Sequence, residues 1–435
     1  MNLSLLKSLY DDNGCQKIYV KKLSPNDNSK NQVYLSGSFD ILNILPIKEI
    51  ITVPAGDWKK ERFKAALNFA WFADDCNIYP APKSQLILYP KYPEVRFSGF
   101  LVRCENPPSE LMTQRLAERL LFFGVSKNGT ILGYVASPFS ELAREFESVE
   151  TSVHGVFRVI ELPQIRNNRE KLLEEINRIY QLGWIESKRL DGYGNLLPCR
   201  SPNCGGYTLE AELGITPNGY SEPDYLGWEI KQFGVRNFNR IQSSVITLMT
   251  PEPTDGYYVR EGVEAFIRKY GYLDLKGRPD RMNFGGIHKS DVRHIRTNLK
   301  LELIGFDKHE NKIRNTDGRI ALVDMNDTEA ASWNFSSMLL HWNKKHNQAC
   351  YIPSLSNTVG GRKYRYGSSI ILGTGTEFQL FLQEMSRGNI YYDPGIKLEN
   401  ISSKPKVKRR SQFRIKVINL PHLYKTNEMV SIVSF

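Results

Sequence analysis

One short segment constrains this chain more than any other: Asp224–Phe233, DYLGWEIKQF. Apolar and charged residues alternate along it, and that two-residue period predicts a β-strand over Tyr225–Phe233. In such a strand Glu229 and Lys231 project from the same face, with Asp224 just ahead of its first residue. Leu226, Trp228 and Ile230 bracket the charges, so the strand is expected to be central in its sheet. Charged groups on a central strand need partners that offset their desolvation. The preceding segment TLEAELG reads as helical and can aim Glu210 at the same place, with Glu212 as the competitor if the register slips. Three carboxylates beside one lysine suit metal-dependent hydrolysis of a phosphodiester. Hard oxygen ligands hold Mg²⁺, which stabilises charge on the phosphate and acidifies water. The ammonium orients the attacking water.

The chain has 435 residues, 41% of them hydrophobic and 11% aromatic, which excludes a largely disordered protein and suggests more than one domain. No stretch approaches the length of a membrane span, and the N-terminus lacks a secretory pattern. Six cysteines do not make a disulfide framework, so a cytoplasmic location is expected. Cys199 and Cys204 have no second Cys or His pair to complete a zinc site. The net charge of +11 is unevenly spread. Residues 1–150 hold 18 basic and 17 acidic side chains, the other 285 hold 40 and 30, and the last 35 hold 8 and 1. A basic excess near one end points to a polyanionic partner, although a solvated tail has the same composition.

Along the chain, Lys17–Leu23 alternates as a half-buried strand does, and Gln32–Leu35 is extended after the turn-forming Ser24–Lys30. Ser109–Leu121 places Met112, Leu116 and Leu120 at helical spacing. Asn128-Gly129 between two apolar runs predicts a hairpin. Residues 151–165 show no periodicity and read as a connector. Arg166–Leu182 carries Leu172, Leu173, Ile176, Ile179 and Tyr180 on one helical face, and Gly183 is placed to end the helix. Pro217-Asn218-Gly219 is a turn. The expected organisation is an N-terminal domain over 1–155, a linker over 156–165 and a second domain over 166–435.

The acid–lysine segment, PDYLGWEIK, is the last of three ordered stretches, after GWIESKR (Gly183–Arg189) and TLEAELG. In this order they resemble the catalytic region of the MvaI/BcnI restriction endonucleases, members of the PD-(D/E)xK nuclease superfamily. They also resemble the mismatch-repair nickase MutH. The resemblance extends through LHWNKKHNQACYIP to Tyr391–Ile415 and covers roughly residues 170–420. It implies an α/β nuclease domain with a central mixed sheet. It assigns Asp224 and Glu229 as metal ligands, Lys231 as the catalytic lysine and Glu210 as an additional carboxylate, with Mg²⁺ as cofactor. It also implies that Asp393 and Arg414 read base edges in the major groove. A carboxylate can accept from cytosine N4, and arginine can pair with guanine O6 and N7. Lys408, Arg409 and Arg410 depart from the family's His-containing stretch and are expected to touch phosphate.

The N-terminal stretches YVKKLSPND, NQVYL and GYVAS resemble an EcoRII-type effector domain, an α+β DNA-binding pseudobarrel that grips the major groove with two arms. This resemblance implies contacts from Asn31, Gln32 and Tyr34 on one arm and from Lys91, Glu94 and Arg96 on the other. The combination implies a monomeric type IIE enzyme that cuts double-stranded DNA at a CC–GG site with one central base pair, A·T by resemblance. A second DNA copy acts as effector. A strand-specific nickase and a catalytically silent DNA-binding regulator are the alternatives.

Overall fold

Alternating side chains build the N-terminal sheet. In the strand Lys17–Leu23 the buried residues are Ile18, Val20 and Leu23, and the strand pairs antiparallel on both sides. Its neighbours are Phe157–Glu161 and Arg119–Val125. The hairpin forms at Asn128-Gly129: Gly129 has φ +78°, and Arg119–Val125 pairs antiparallel with Ile131–Ala136 from Val125↔Ile131 onward. A positive φ there costs glycine nothing.

The computed structural model describes residues 1–25, 31–47, 49–54, 61–90, 94–162, 164–201, 203–216 and 223–434. Lys91 and the Pro217-Asn218-Gly219 turn therefore lie outside the described residues. The chain divides into two units, Met1–Lys171 and Leu172–Phe435. Together they make a mixed α/β protein with several sheets. Among the described residues no helix is long and apolar enough to cross a membrane.

The first unit holds a seven-stranded sheet and a five-stranded antiparallel sheet. Two expectations fail in it. The helix read over Ser109–Leu121 stops at Thr113, and Leu120 lies in the Arg119–Val125 strand. There it faces Lys22 on one side and Ala136 on the other, so pairing on both flanks overrides the helical spacing. The chain between is held by the buried Arg119, whose guanidinium donates to the carbonyls of Leu116, Leu111 and Ser24. The segment 151–165 is also more than a connector. Ser152–His154 and Phe157–Glu161 form a hairpin that extends the seven-stranded sheet. Its strands are too short for their alternation to stand out.

In the second unit the later part of the helix Gln164–Gln181 buries Leu172, Leu173, Ile176 and Ile179 completely, and Gly183 follows at φ +66°. These side chains share a core with Trp228, Ile230, Cys350, Ile352 and Leu372. The sheet behind that core is mixed. Gln348–Asn357 runs antiparallel to Lys363–Tyr366 and Ser369–Thr374, while Glu229–Gly234 joins it in parallel. A three-stranded sheet carries Phe413–Lys416 and a four-stranded sheet Lys406–Lys408, while Thr426–Ser431 pairs antiparallel with Ser369–Thr374.

Candidate active site

The acid–lysine segment is a turn followed by a strand, so the strand expected over Tyr225–Phe233 is corrected to Glu229–Gly234. The Tyr225 N–H donates to the Trp228 carbonyl at 3.0 Å and the Trp228 N–H to the Tyr225 carbonyl at 2.8 Å. The two residues between have positive φ, Leu226 at +50° and Gly227 at +86°. Such a turn reverses the chain tightly. It carries Asp224 back so that its Oδ2 accepts the Ile230 N–H at 3.0 Å. The strand is also not central by pairing: among the described residues it bonds only to Gln348–Asn357, from Glu229↔Ala349 to Gly234↔Ser354. It is buried because the Cys204–Glu212 helix and the shared core cover it.

Four of the predicted residues come together here. Glu229 is 2% exposed, and its Oε1 accepts the Lys231 ammonium at 2.6 Å. Burial, then the charge of Asp224, pushes the Glu210 carboxyl up to about 7. Burial, then the charge of Glu229, pushes Asp224 up to about 6. The competitor Glu212 is engaged elsewhere, with Lys188 at 2.5 Å and Arg178 at 3.6 Å. A helical step of two turns residue 212 away from residue 210.

No group of three His, Cys, Asp or Glu side chains among the described residues is arranged to hold a metal ion. The residues nevertheless fit a hard divalent cation. Glu229 Oε2 is buried and accepts no hydrogen bond, and burial followed by the charge of neighbouring carboxylates raises both Glu210 and Asp224, an excess of negative charge that a cation would relieve. Magnesium keeps several waters and commonly takes only one or two protein carboxylates. Asp224 and Glu229 are the pair that could hold it.

Sequence spacing gave no place to Lys345. Its Nζ lies 3.8 Å from Glu229 Oε1, and its charge acts on both Asp224 and Glu210. The only signal in the sequence was a lysine pair, Lys344-Lys345, just ahead of an apolar strand. Nearby, Cys199 and Cys204 are joined by a disulfide, although the six cysteines read as no disulfide framework. The turn into the Cys204–Glu212 helix brings their Cα atoms to 5.7 Å, within disulfide reach.

Asp393 and Arg414 are also brought together. Arg414 lies on Phe413–Lys416, opposite Tyr391, and its Nη1 donates to Asp393 Oδ2 at 2.6 Å. Lys408, Arg409 and Arg410 are exposed, with Lys408 paired to Glu399 at 2.7 Å and Arg410 Nε donating to Gln412 Oε1 at 3.3 Å. In the first unit, Val33–Ser36 and Glu94–Ser98 are neighbouring strands with Tyr34 opposite Arg96. Arg96 donates to Glu94 and, at 3.4 Å, to Gln32 Oε1. Gln32, Tyr34, Glu94 and Arg96 line one concavity with Lys21. Asn31 precedes them at φ +47°.

The model of the MvaI/BcnI restriction endonuclease family matches residues 173–424. Among solved structures, the complex of the restriction endonuclease MvaI with cognate DNA substrate is 21% identical, covering 60% of this chain and 97% of that one, with a TM-score of 0.45. MvaI in the absence of DNA is 20% identical over the same shares, with a TM-score of 0.33. The B3 domain of the UbaLAI restriction endonuclease with cognate DNA is 21% identical, covering 36% of this chain and 98% of that one, with a TM-score of 0.23. No curated protein matches. Because the family model spans more than half of its residues, this chain belongs to the MvaI/BcnI family and is a site-specific DNA endonuclease.

Proposed function

We propose that the protein is a type IIE restriction endonuclease that hydrolyses both strands of DNA at a CC–GG site with a central A·T pair. The observation that carries this reading is the cluster of Glu210, Asp224 and Glu229 with Lys231 at the start of one buried strand. The second unit is read as a PD-(D/E)xK fold. Asp224 and Glu229 would hold Mg²⁺, which when bound stabilises charge on the phosphate and acidifies water. Lys231, held by Glu229, orients the attacking water in line with the 3′ oxygen, so that the product carries a 5′-phosphate. Glu210 would accept the proton of that water: burial, then the charge of Asp224, pushes its carboxyl up to about 7, so its ionised form is a stronger base than an ordinary glutamate.

Asp393 and Arg414 read the site. Their mutual pairing fixes the guanidinium plane, and the N–H groups that remain can address guanine while Asp393 accepts from cytosine N4. Lys408, Arg409 and Arg410 contact phosphate. The first unit is read as a DNA-binding pseudobarrel that takes a second copy of the site through Asn31, Gln32, Tyr34, Lys91, Glu94 and Arg96. The enzyme works as a monomer and cuts the two strands in turn.

Digestion of a mixed-sequence plasmid library with Mg²⁺, followed by sequencing of the ends, tests this reading. Linear products with 5′-phosphates at CC–GG sites are expected, preceded by nicked circles. Nicked circles that persist without linear product would instead mark a strand-specific nickase. Loss of cleavage in Asp224→Ala and Lys231→Ala, with duplex binding retained, is expected; unchanged cleavage by either would remove the site assignment.

A further inference from the structure

The pair Asp393 and Arg414 has a neighbour that no spacing in the sequence marked, the segment 286–298, GIHKSDVRHIRTN. It leaves the Arg281–Gly285 strand where Gly285 lies opposite Gly395, two residues after Asp393. His288 exchanges backbone hydrogen bonds with Tyr392, the residue before Asp393. Its N–H donates to the Tyr392 carbonyl at 2.8 Å, and the Tyr392 N–H donates back at 3.0 Å. The root of the segment is thereby fixed on the residues that flank Asp393.

The rest of the segment is held as firmly. The His288 ring is fully buried, stacks on Phe284 and lies 4.5 Å, centroid to centroid, from His294. Its Nε2 lies 2.8 Å from Thr297 Oγ1, and the His294 N–H donates to the Leu299 carbonyl at 2.8 Å. Gly286, at φ +110°, leaves room for His294, because a Cβ there would come within 2.3 Å of its Nε2. Arg293 Nη1 donates to the Asn298 carbonyl at 2.5 Å and ties the turn between them. On this scaffold Ile295 is 90% exposed. Beside it the Arg296 guanidinium lies over the Tyr272 ring, 5.5 Å from its centroid, and Lys289 is exposed as well.

A lone exposed isoleucine is ordinary on a protein surface. One presented on a pre-formed turn, among cations and next to a carboxylate–guanidinium pair, suits a ligand that is apolar at one point and anionic around it. The major groove of DNA is such a ligand: its apolar feature is the C5-methyl of thymine, and phosphates line its walls. In an unmodified CC–GG site with a central A·T pair, only the central thymine carries that methyl. We propose that Ile295 is a specificity-determining residue that packs on the methyl of the central thymine, with Arg296 and Lys289 on flanking phosphates. The proposal rests on the site reading given above. Asp393 and Arg414 then read C·G pairs by hydrogen bonds, and Ile295 reads the centre by an apolar contact.

The test is single-turnover cleavage, at sub-saturating enzyme, of two duplexes that differ only in carrying thymine or deoxyuridine at the centre; deoxyuridine lacks the methyl. The full chain is used, as wild type and as Ile295→Ala. Wild type should cut the deoxyuridine duplex about 5-fold more slowly. Ile295→Ala should cut the thymine duplex at least about 5-fold more slowly than wild type and be indifferent to the methyl, so that the two losses do not multiply. Arg296→Ala should slow both duplexes alike and keep the preference for thymine. A wild type indifferent to the methyl overturns the proposal, as does an Ile295→Ala that keeps the full preference. Ile295→Ser carries the same comparison should Ile295→Ala melt early. A duplex with a central C·G pair runs alongside: if wild type cuts it as fast as the A·T duplex, the site reading itself fails, whatever Ile295→Ala does.

Discussion

Glu210 and Glu212 are two residues apart on one helix and meet opposite fates. Glu210 is crowded by Asp224 and Glu229, while Glu212 is neutralised by Lys188 and Arg178. That contrast sets a pH dependence. A carboxyl with a higher pKa in the folded state holds its proton more tightly when folded, so stability falls as pH rises through the shifted range. For Asp224 and Glu210 that range runs from the ordinary 3.8 and 4.5 up to about 6 and about 7. The metal-free protein should therefore lose stability from about pH 4 to about pH 7, and Mg²⁺ should raise Tm more at the upper end than at the lower. Calorimetry with and without Mg²⁺ checks this, and Asp224→Asn should flatten the slope. At the proposed reading pair, Arg414→Ala should cost about 1–3 kcal/mol of discrimination at one guanine. A loss spread evenly over all sequences would show that Arg414 touches only phosphate.

The local elements were legible where the code is short-range. Lys17–Leu23, the Asn128-Gly129 hairpin and the Arg166–Leu182 helix depend on spacing and on one turn, and they lie where the pattern puts them. The acid segment was misread as continuous strand because its alternation runs straight through the Tyr225–Trp228 turn. That turn needs positive φ at Leu226 and Gly227, and it sets the spacing of Asp224 from Glu229. A Cβ at Gly227 would meet no atom, so substitution there is penalised by backbone conformation alone. Gly227→Ala should destabilise by about 1–2 kcal/mol and slow cleavage, with Gly227→Asn milder because asparagine enters that region more readily. Equal melting and cleavage for all three proteins would deny the turn its role.

At the scale of the whole molecule, charge separates the two ends of the chain. Residues 1–150 have 18 basic and 17 acidic side chains, whereas the last 35 have 8 and 1. Bulk charge cannot draw DNA to the first unit, so the effector binding proposed for it would have to come from placed groups such as Arg96 and Gln32, which share one concavity. Arg96→Ala in the full chain should leave cleavage of a single-site duplex intact and remove its stimulation by added cognate duplex. Stimulation that survives would place effector binding elsewhere. The sequence alone determined the proposed catalytic set Asp224, Glu229 and Lys231, because their chemistry is written within eight residues of one segment. Only the tertiary structure decided that Glu210 rather than Glu212 faces them, that Arg414 lies against Asp393, and that Lys345 joins the cluster. Those choices depend on helix rotation and on a parallel strand register set by distant side chains packing together, and a register carries no signature in the residues it aligns.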